Sequence, residues 1–216
     1  MAANWLPASI DFTVRRQRQP EIAEPRAKRL FDLLGAACLL VLLSPLLAAI
    51  AAGLTLMRDG PVLFRQQRAG AGGRLFWLYK FRTMCHRPQA AFRQAVPDDP
   101  RVTRLGRWLR ATSLDELPQL YNVLRGDMSL VGPRPHAPET AIGSLRFAEA
   151  LGHYRARELV RPGITGLAQI RGQRGPTPTL ASLEARLASD LEYIERRSLA
   201  LDVAILLRSL PVLFGR

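Results

Sequence analysis

An α+β fold, mostly helical, is predicted by three observations: an uncharged run from Leu33 to Met57 interrupted at Ser44-Pro45, two strand-like segments around Gly70 to Gly73, and helical periodicity through most of the remaining chain. In this reading an N-terminal re-entrant membrane helix precedes a small β-hairpin, and amphipathic interfacial helices surround a domain on the cytoplasmic face. The segments are 1–25 for an N-terminal tail, 26–58 for the broken membrane helix and 59–216 for the domain.

Residues 1–25 hold Pro7, Pro20 and Pro25 among mixed charges without sustained periodicity, so a surface-lying tail is expected. The run that follows has the length of a transmembrane helix and lacks the polar face that a soluble helix needs. It is not expected to be a cleaved signal, because a polar and charged stretch precedes it and no small-residue cleavage site follows. Pro45 removes a backbone donor in mid-run and clashes with the preceding turn. Each arm of about eleven or twelve residues then reaches about 16–18 Å, against a hydrocarbon core of about 30 Å. Arg26, Lys28 and Arg29 before the run, and Arg58, Arg65, Arg68 and Arg74 after it, favour the cytoplasmic side for both ends. A re-entrant element fits this pattern, with a kinked span as the alternative.

With 31 basic against 18 acidic residues the formal net charge is +13, so an anionic partner is expected: nucleic acid, lipid headgroups or a phosphorylated substrate. Cys38 and Cys85 are the only cysteines, which excludes a disulfide framework and fits a reducing, cytoplasmic setting. His86, His136 and His153 are scattered without metal-ligand spacing.

After the apolar run, "PVLFRQQRAGAGGRLFWLYKFRTM" reads as two strands about a glycine turn, which places Lys80 and Arg82 at the end of a hairpin. "QAAFRQAVPDDPRVTRLGRWLRATS" reads as a helix, a Pro-containing turn and a basic helix carrying Arg104, Arg107 and Arg110. Two further helical segments occupy the C-terminal part, the second apolar over a wide face that can lie in a core or along a bilayer. Glycine and proline cluster in two loops, "VGPRP" and "RPGITGLAQIRGQRG".

The adjacent acids Asp115 and Glu116 admit two readings. Ser113 and Glu116 have the spacing of a capping box, although Pro118 fits better if Asp115 opens the helix. Their neighbours in sequence favour chemistry. Arg110 lies just upstream, Arg134 is held between two prolines, and Arg174 sits in a glycine-flanked loop, all suited to phosphate by their planar donor fork.

In order, "KRLFD", the Ser44-Pro45 break, "FRQQRAG", "YKFRTM", "DDPRVTRLGRWLRATSLDELPQLYNVLRGDMSLVGPRP", "RPGITGLAQIRG" and "LDVAIL" closely resemble the bacterial sugar transferases known as monotopic phosphoglycosyl transferases. The resemblance covers about Arg26 to Leu213. It implies transfer of a sugar phosphate from a UDP-sugar to polyprenyl (undecaprenyl) phosphate at the cytoplasmic face of the bacterial inner membrane, opening exopolysaccharide, capsule, O-antigen or glycoconjugate synthesis. It further implies Asp115 as nucleophile, Glu116 as its partner, Mg²⁺ as the metal held by this pair, and a helix break at Ser44 and Pro45. Lys80, Arg82, Arg110, Arg134, Arg174 and Asp202 are carried over as substrate-binding positions. Membrane phospholipids, and a second copy of the chain as a homodimer, complete the implied partners. Where a branch of the family has "RGET", this chain has "RGPT", and Leu167 replaces an aromatic residue; a plain hexose such as glucose or galactose is the implied sugar. The alternatives are a membrane-tethered nucleic-acid-binding protein, for which no module is recognisable, and a non-catalytic scaffold.

Overall fold

A computed structural model describes residues 21–85 and 99–213. Most of the expected tail, and the helix expected at the start of "QAAFRQAVPDDP", lie outside the described residues.

The apolar run forms α1 (Arg26–Leu42) and α2 (Ser44–Leu56), bent by 61° at Leu43. Pro45 stands in the first turn of α2, where its missing N–H leaves no intrahelical acceptor unused. The Ser44 hydroxyl donates to the Val41 carbonyl at 2.8 Å and ties the end of one arm to the start of the next. No single helix among the described residues is long and apolar enough to cross a membrane; α1 and α2 meet that test only together, as a bent pair. Leu30, Leu34, Val41, Leu42 and Leu56 are exposed along them.

Strands β1 (Leu63–Ala69) and β2 (Leu75–Phe81) pair antiparallel, with Phe64 opposite Lys80 and Ala69 opposite Leu75. Gly72 and Gly73 turn the chain between them at φ +62° and +72°, values that side chains with a Cβ resist. Next come α3 (Arg104–Ala111), a 3₁₀ turn at Leu114–Glu116, α4 (Gln119–Arg125) and β3 (Ser129–Val131). A two-residue hairpin, β4 (Ala141–Ile142) and β5 (Leu145–Arg146), leads into α5 (Phe147–Ala150) and a 3₁₀ segment, Tyr154–Leu159. Then β6 (Gly163–Thr165) pairs parallel with β3, followed by α6 (Leu167–Ile170), α7 (Leu180–Arg196) and α8 (Leu199–Leu213).

The main core joins Ala36 of α1, Phe76 and Leu78 of β2, Leu120 and Val123 of α4, Leu130 and Val131 of β3, and Ile205 of α8. A second cluster packs Ile50 and Leu54 of α2 against Phe81 of β2 and Leu109 of α3. Both arms of the bent pair are therefore fastened to the domain by one face.

Polar contacts set the register of these layers. Asn122, fully buried on α4, accepts from the Tyr79 amide at 3.1 Å and donates to the Trp77 carbonyl at 2.7 Å, standing in for a missing neighbour strand along β2. Arg29 of α1 donates to the Val123 and Leu124 carbonyls at 2.8 and 3.0 Å, satisfying the last turn of α4. Lys28 reaches Asp32 at 3.0 Å and Asp202 at 2.9 Å, and Asp32 accepts from the Leu130 amide. The sequence places Lys28 and Arg29 among the cations flanking a membrane helix; in the fold both are spent inside the protein, because they lie on the face of α1 that covers α4 and β3.

Gly106 lets α3 lie directly on the backbone at Thr83: a Cβ there would sit 2.0 Å from the Thr83 carbonyl oxygen, which already accepts from the Thr103 amide. Because the obstacle is hydrogen-bonded backbone, Gly106→Ala should cost about 1–3 kcal/mol. Thermal unfolding of that variant should show a melting temperature below wild type; an unchanged midpoint would refute this close packing.

Candidate active site

The 3₁₀ turn holds the two acids in unlike surroundings. Ser113, in the left-handed region at φ +56°, makes no side-chain cap, so the capping box allowed by the spacing is not formed. Pro118 precedes α4 directly, and Asp115 and Glu116 lie in the turn before it.

Glu116 is clamped. Lys80 of β2 donates to Oε1 at 2.7 Å, Arg134 donates Nη1 to Oε2 at 2.8 Å, and Arg134 Nη2 bonds Oε1 as well. Burial alone would raise the carboxyl pKa, but Arg134 and Lys80 outweigh it and hold Glu116 well below the usual carboxylate range. Burial in turn pulls Lys80 down from its ordinary value, opposed by Glu116, while Glu116 keeps Arg134 raised.

Asp115 accepts no hydrogen bond among the described residues, although only 7% of it is exposed. Burial pushes its pKa up to about 6, assisted by the Glu116 charge and opposed by Lys80, Arg110 and Arg134. Arg110, on the last turn of α3, donates Nε to Thr83 Oγ1 at 2.9 Å and is otherwise exposed. The turn thus offers one carboxylate neutralised by a bidentate guanidinium and an ammonium, and one that is desolvated and free.

Behind Arg134 lies a second polar layer. Arg157 donates to the Arg134 carbonyl at 2.7 Å and is held by Asp190 of α7 at 2.7 and 3.0 Å. It also donates Nη1 to Tyr154 Oη at 3.1 Å and lies 2.8 Å from His136 Nδ1. Burial, then Arg157, holds His136 well below its ordinary pKa, so the ring is neutral. Tyr193 donates to the Val131 carbonyl at 3.0 Å and to Asp202 at 2.8 Å, fixing the strand from which the "GPRP" loop departs.

Of the residues singled out from sequence, the fold unites Asp115, Glu116, Lys80, Arg110 and Arg134. Three fall elsewhere. Arg82 is buried and donates to the Pro61 and Leu54 carbonyls at 2.9 and 3.0 Å, binding the end of α2 to the hairpin. Asp202 belongs to the buried Lys28–Asp32–Tyr193 network. Arg174 is exposed and makes no hydrogen bond or ion pair among the described residues. Sequence reasoning passed over Asn122, Arg157 and Asp190; their partners lie tens of positions away, and no local spacing points to them.

For magnesium the donor set is sparse. No group of three or more His, Cys, Asp or Glu able to hold a metal occurs among the described residues, and both Glu116 oxygens are taken by cations. Asp115 is the carboxylate left free, which fits an ion bound through one protein carboxylate with substrate phosphate oxygens and water completing its shell.

Two adjacent carboxylates set among guanidinium and ammonium groups, with a bent apolar helix pair fastened to the same domain, are the chemical character of the site. The chain belongs to the bacterial sugar transferase family, whose model matches residues 23–216. It is 50% identical over 195 residues to a UDP-glucose:undecaprenyl-phosphate glucose-1-phosphate transferase of Caulobacter vibrioides, covering 90% of this chain and 72% of that protein. It is 49% identical over 199 residues to an undecaprenyl-phosphate glucose phosphotransferase of Komagataeibacter xylinus, covering 91% of this chain but only 37% of the relative's length. An exopolysaccharide production protein of Rhizobium leguminosarum is 45% identical over 183 residues, covering 83% of this chain and 90% of the relative.

Proposed function

We propose that this protein transfers hexose 1-phosphate, glucose 1-phosphate foremost, from the UDP-sugar to undecaprenyl phosphate, releasing UMP and leaving an undecaprenyl-diphosphate sugar. The names of the relatives support the substrates, and the free, desolvated carboxylate of Asp115 among Lys80, Arg110 and Arg134 is the observation that carries the chemistry.

In the first step an Asp115 oxygen attacks the sugar-bearing phosphorus, and the bond from that phosphorus to the bridging oxygen breaks, so that UMP leaves with the electron pair. The acyl phosphate formed on Asp115 stays activated for a second transfer. A phosphate oxygen of undecaprenyl phosphate then attacks the same phosphorus and the bond to Asp115 breaks, restoring the carboxylate. One diphosphate link is consumed and one made. Desolvation serves the first step, since a carboxylate with a pKa near 6 is more basic and more nucleophilic than one in water and still mostly ionised at pH 7. Glu116 holds Lys80 and Arg134 in place, where they oppose the repulsion between nucleophile and diphosphate. Magnesium, held by Asp115, would supply further charge neutralisation on the phosphate oxygens.

The bent pair suits an acceptor whose chain stays in the bilayer. With α1 and α2 re-entrant from the cytoplasmic face of the inner membrane, exposed leucines would meet lipid while the dyad stays at headgroup depth.

The test is UMP release by the purified full chain in lipid or detergent with Mg²⁺, undecaprenyl phosphate and a panel of UDP-sugars. Release is expected with UDP-glucose, only in the presence of acceptor for multiple turnovers, and lost by at least about 10-fold when EDTA removes the divalent ion. Activity undiminished in EDTA would remove the metal from the mechanism, and no release with any UDP-sugar would overturn the reading.

A further inference from the structure

We propose that Arg68, at the end of β1, is a phosphate-binding residue of this site; the assignment rests on the transferase reading above. Its guanidinium donates to two neutral acceptors, the Gln66 side-chain oxygen at 2.7 Å and the Pro135 carbonyl at 3.4 Å. Its Nε is shut off from solvent with no partner. Among the described residues it forms no ion pair, whereas the neighbouring guanidiniums of Arg134 and Arg157 are each matched by a carboxylate, Glu116 and Asp190. A half-buried cation without a counter-ion is costly to keep, and an arriving anion relieves that cost.

Its place is fixed beside the dyad. The Ala69 amide donates to the His136 carbonyl at 3.2 Å, so the end of β1 is seated on the "GPRPH" loop, and Pro135, which Arg68 touches, is the residue after Arg134. Arg134 and Glu116 are the charged groups that act most strongly on it, followed by Glu139. Burial and Arg134 push its pKa down to about 10, which leaves it cationic at neutral pH. Lys80, Arg110 and Arg134 act on Asp115, Lys80 and Arg134 on Glu116, and Arg68 is coupled to Glu116 through the same cluster, so cations crowd the dyad. Within that crowd Arg68 supplies a planar donor fork not already committed to a carboxylate, the geometry that suits a phosphate.

The phosphate can belong to the nucleotide donor or to the lipid acceptor, and kinetics separates them. Arg68→Gln and Arg68→Lys are compared with wild type in the full chain by varying UDP-glucose and undecaprenyl phosphate independently, with UMP as product inhibitor and a thermal unfolding midpoint for each protein. Arg68→Gln is expected to raise one KM by about 10-fold or more, the worth of a charge-assisted hydrogen bond, with a midpoint at or above wild type and partial rescue by Lys. A raised KM for UDP-glucose with weakened UMP inhibition assigns the residue to the donor phosphates; a raised KM for undecaprenyl phosphate alone assigns it to the acceptor. Both KM values unchanged, or a lowered kcat and midpoint with KM intact, would reduce Arg68 to a brace for the loop. Calorimetric titration with UMP and inorganic pyrophosphate is independent of turnover. Weaker binding of either by Arg68→Gln supports the phosphate site even where wild type releases no UMP, and equal binding together with unchanged KM values refutes it.

Discussion

Asp115→Asn is expected to abolish UMP release and at the same time to stabilise the protein. The amide keeps the shape of the side chain but cannot form an acyl phosphate, so the loss should be on the order of 10⁴-fold or more. The stability gain follows from the pKa. Folding raises the Asp115 value from 3.8 to about 6, so the folded state binds this proton more tightly than the unfolded chain. The ionised form therefore becomes a burden that grows as pH rises from about 4 to about 6 and is present in full at pH 7. About two pK units correspond to roughly 3 kcal/mol, and a neutral amide at pH 7 should recover most of it. For a chain of this size that is a rise of about 5–10 °C in the melting temperature at pH 7, shrinking toward zero below pH 4, where Asp115 is protonated in both states. A variant that loses UMP release and also melts lower throughout would show that Asp115 braces the turn instead of storing reactivity there.

The sequence made the elements legible where chemistry is local. Proline in the middle of an uncharged run kinks or breaks a helix, so the bend at Ser44-Pro45 could be read directly, as could a hairpin around consecutive glycines. The meeting of Lys80, Arg110 and Arg134 at the acidic pair was legible only through the order of motifs, since β2, α3 and the "GPRP" loop are brought together by Asn122, Thr83 and Arg157. Charge alone does not reveal that Lys28 and Arg29 are also bonded inside the protein, nor does the motif reveal that Arg82 braces α2. Buried carboxylates and the open carbonyls at helix ends need cations too, and their positions in sequence do not show which cation serves them. At Ser113 the spacing left a capping box open; the residue is left-handed and its side chain makes no cap, and the turn is closed by the Glu116 amide donating to the Ser113 carbonyl at 3.1 Å.

Glu116→Gln, one residue from the nucleophile, should act in the opposite direction on stability. Lys80 and Arg134 both deliver their charge to this carboxylate, and removing it leaves two largely buried cations facing each other across the turn. Breaking a buried pair from one side costs about 3–5 kcal/mol, much of it the uncompensated charge left behind, so the melting temperature at pH 7 should fall by about 6–15 °C. Activity should fall as well, because Arg134 loses the anchor that aims it and Lys80 is free to pair with Asp115. The pH profile separates this cause from simple unfolding. Glu116 contributes to the raised pKa of Asp115, and the cations it releases would favour the Asp115 anion further. The acid limb of UMP release, expected near pH 6 in wild type, should therefore move to lower pH in the folded fraction of Glu116→Gln, measured below its melting range. A limb that stays near pH 6 would mean that Glu116 does not govern the charge on Asp115. Two adjacent acids with opposite effects on stability are what this turn requires: one carboxylate is satisfied so that the other can remain unsatisfied.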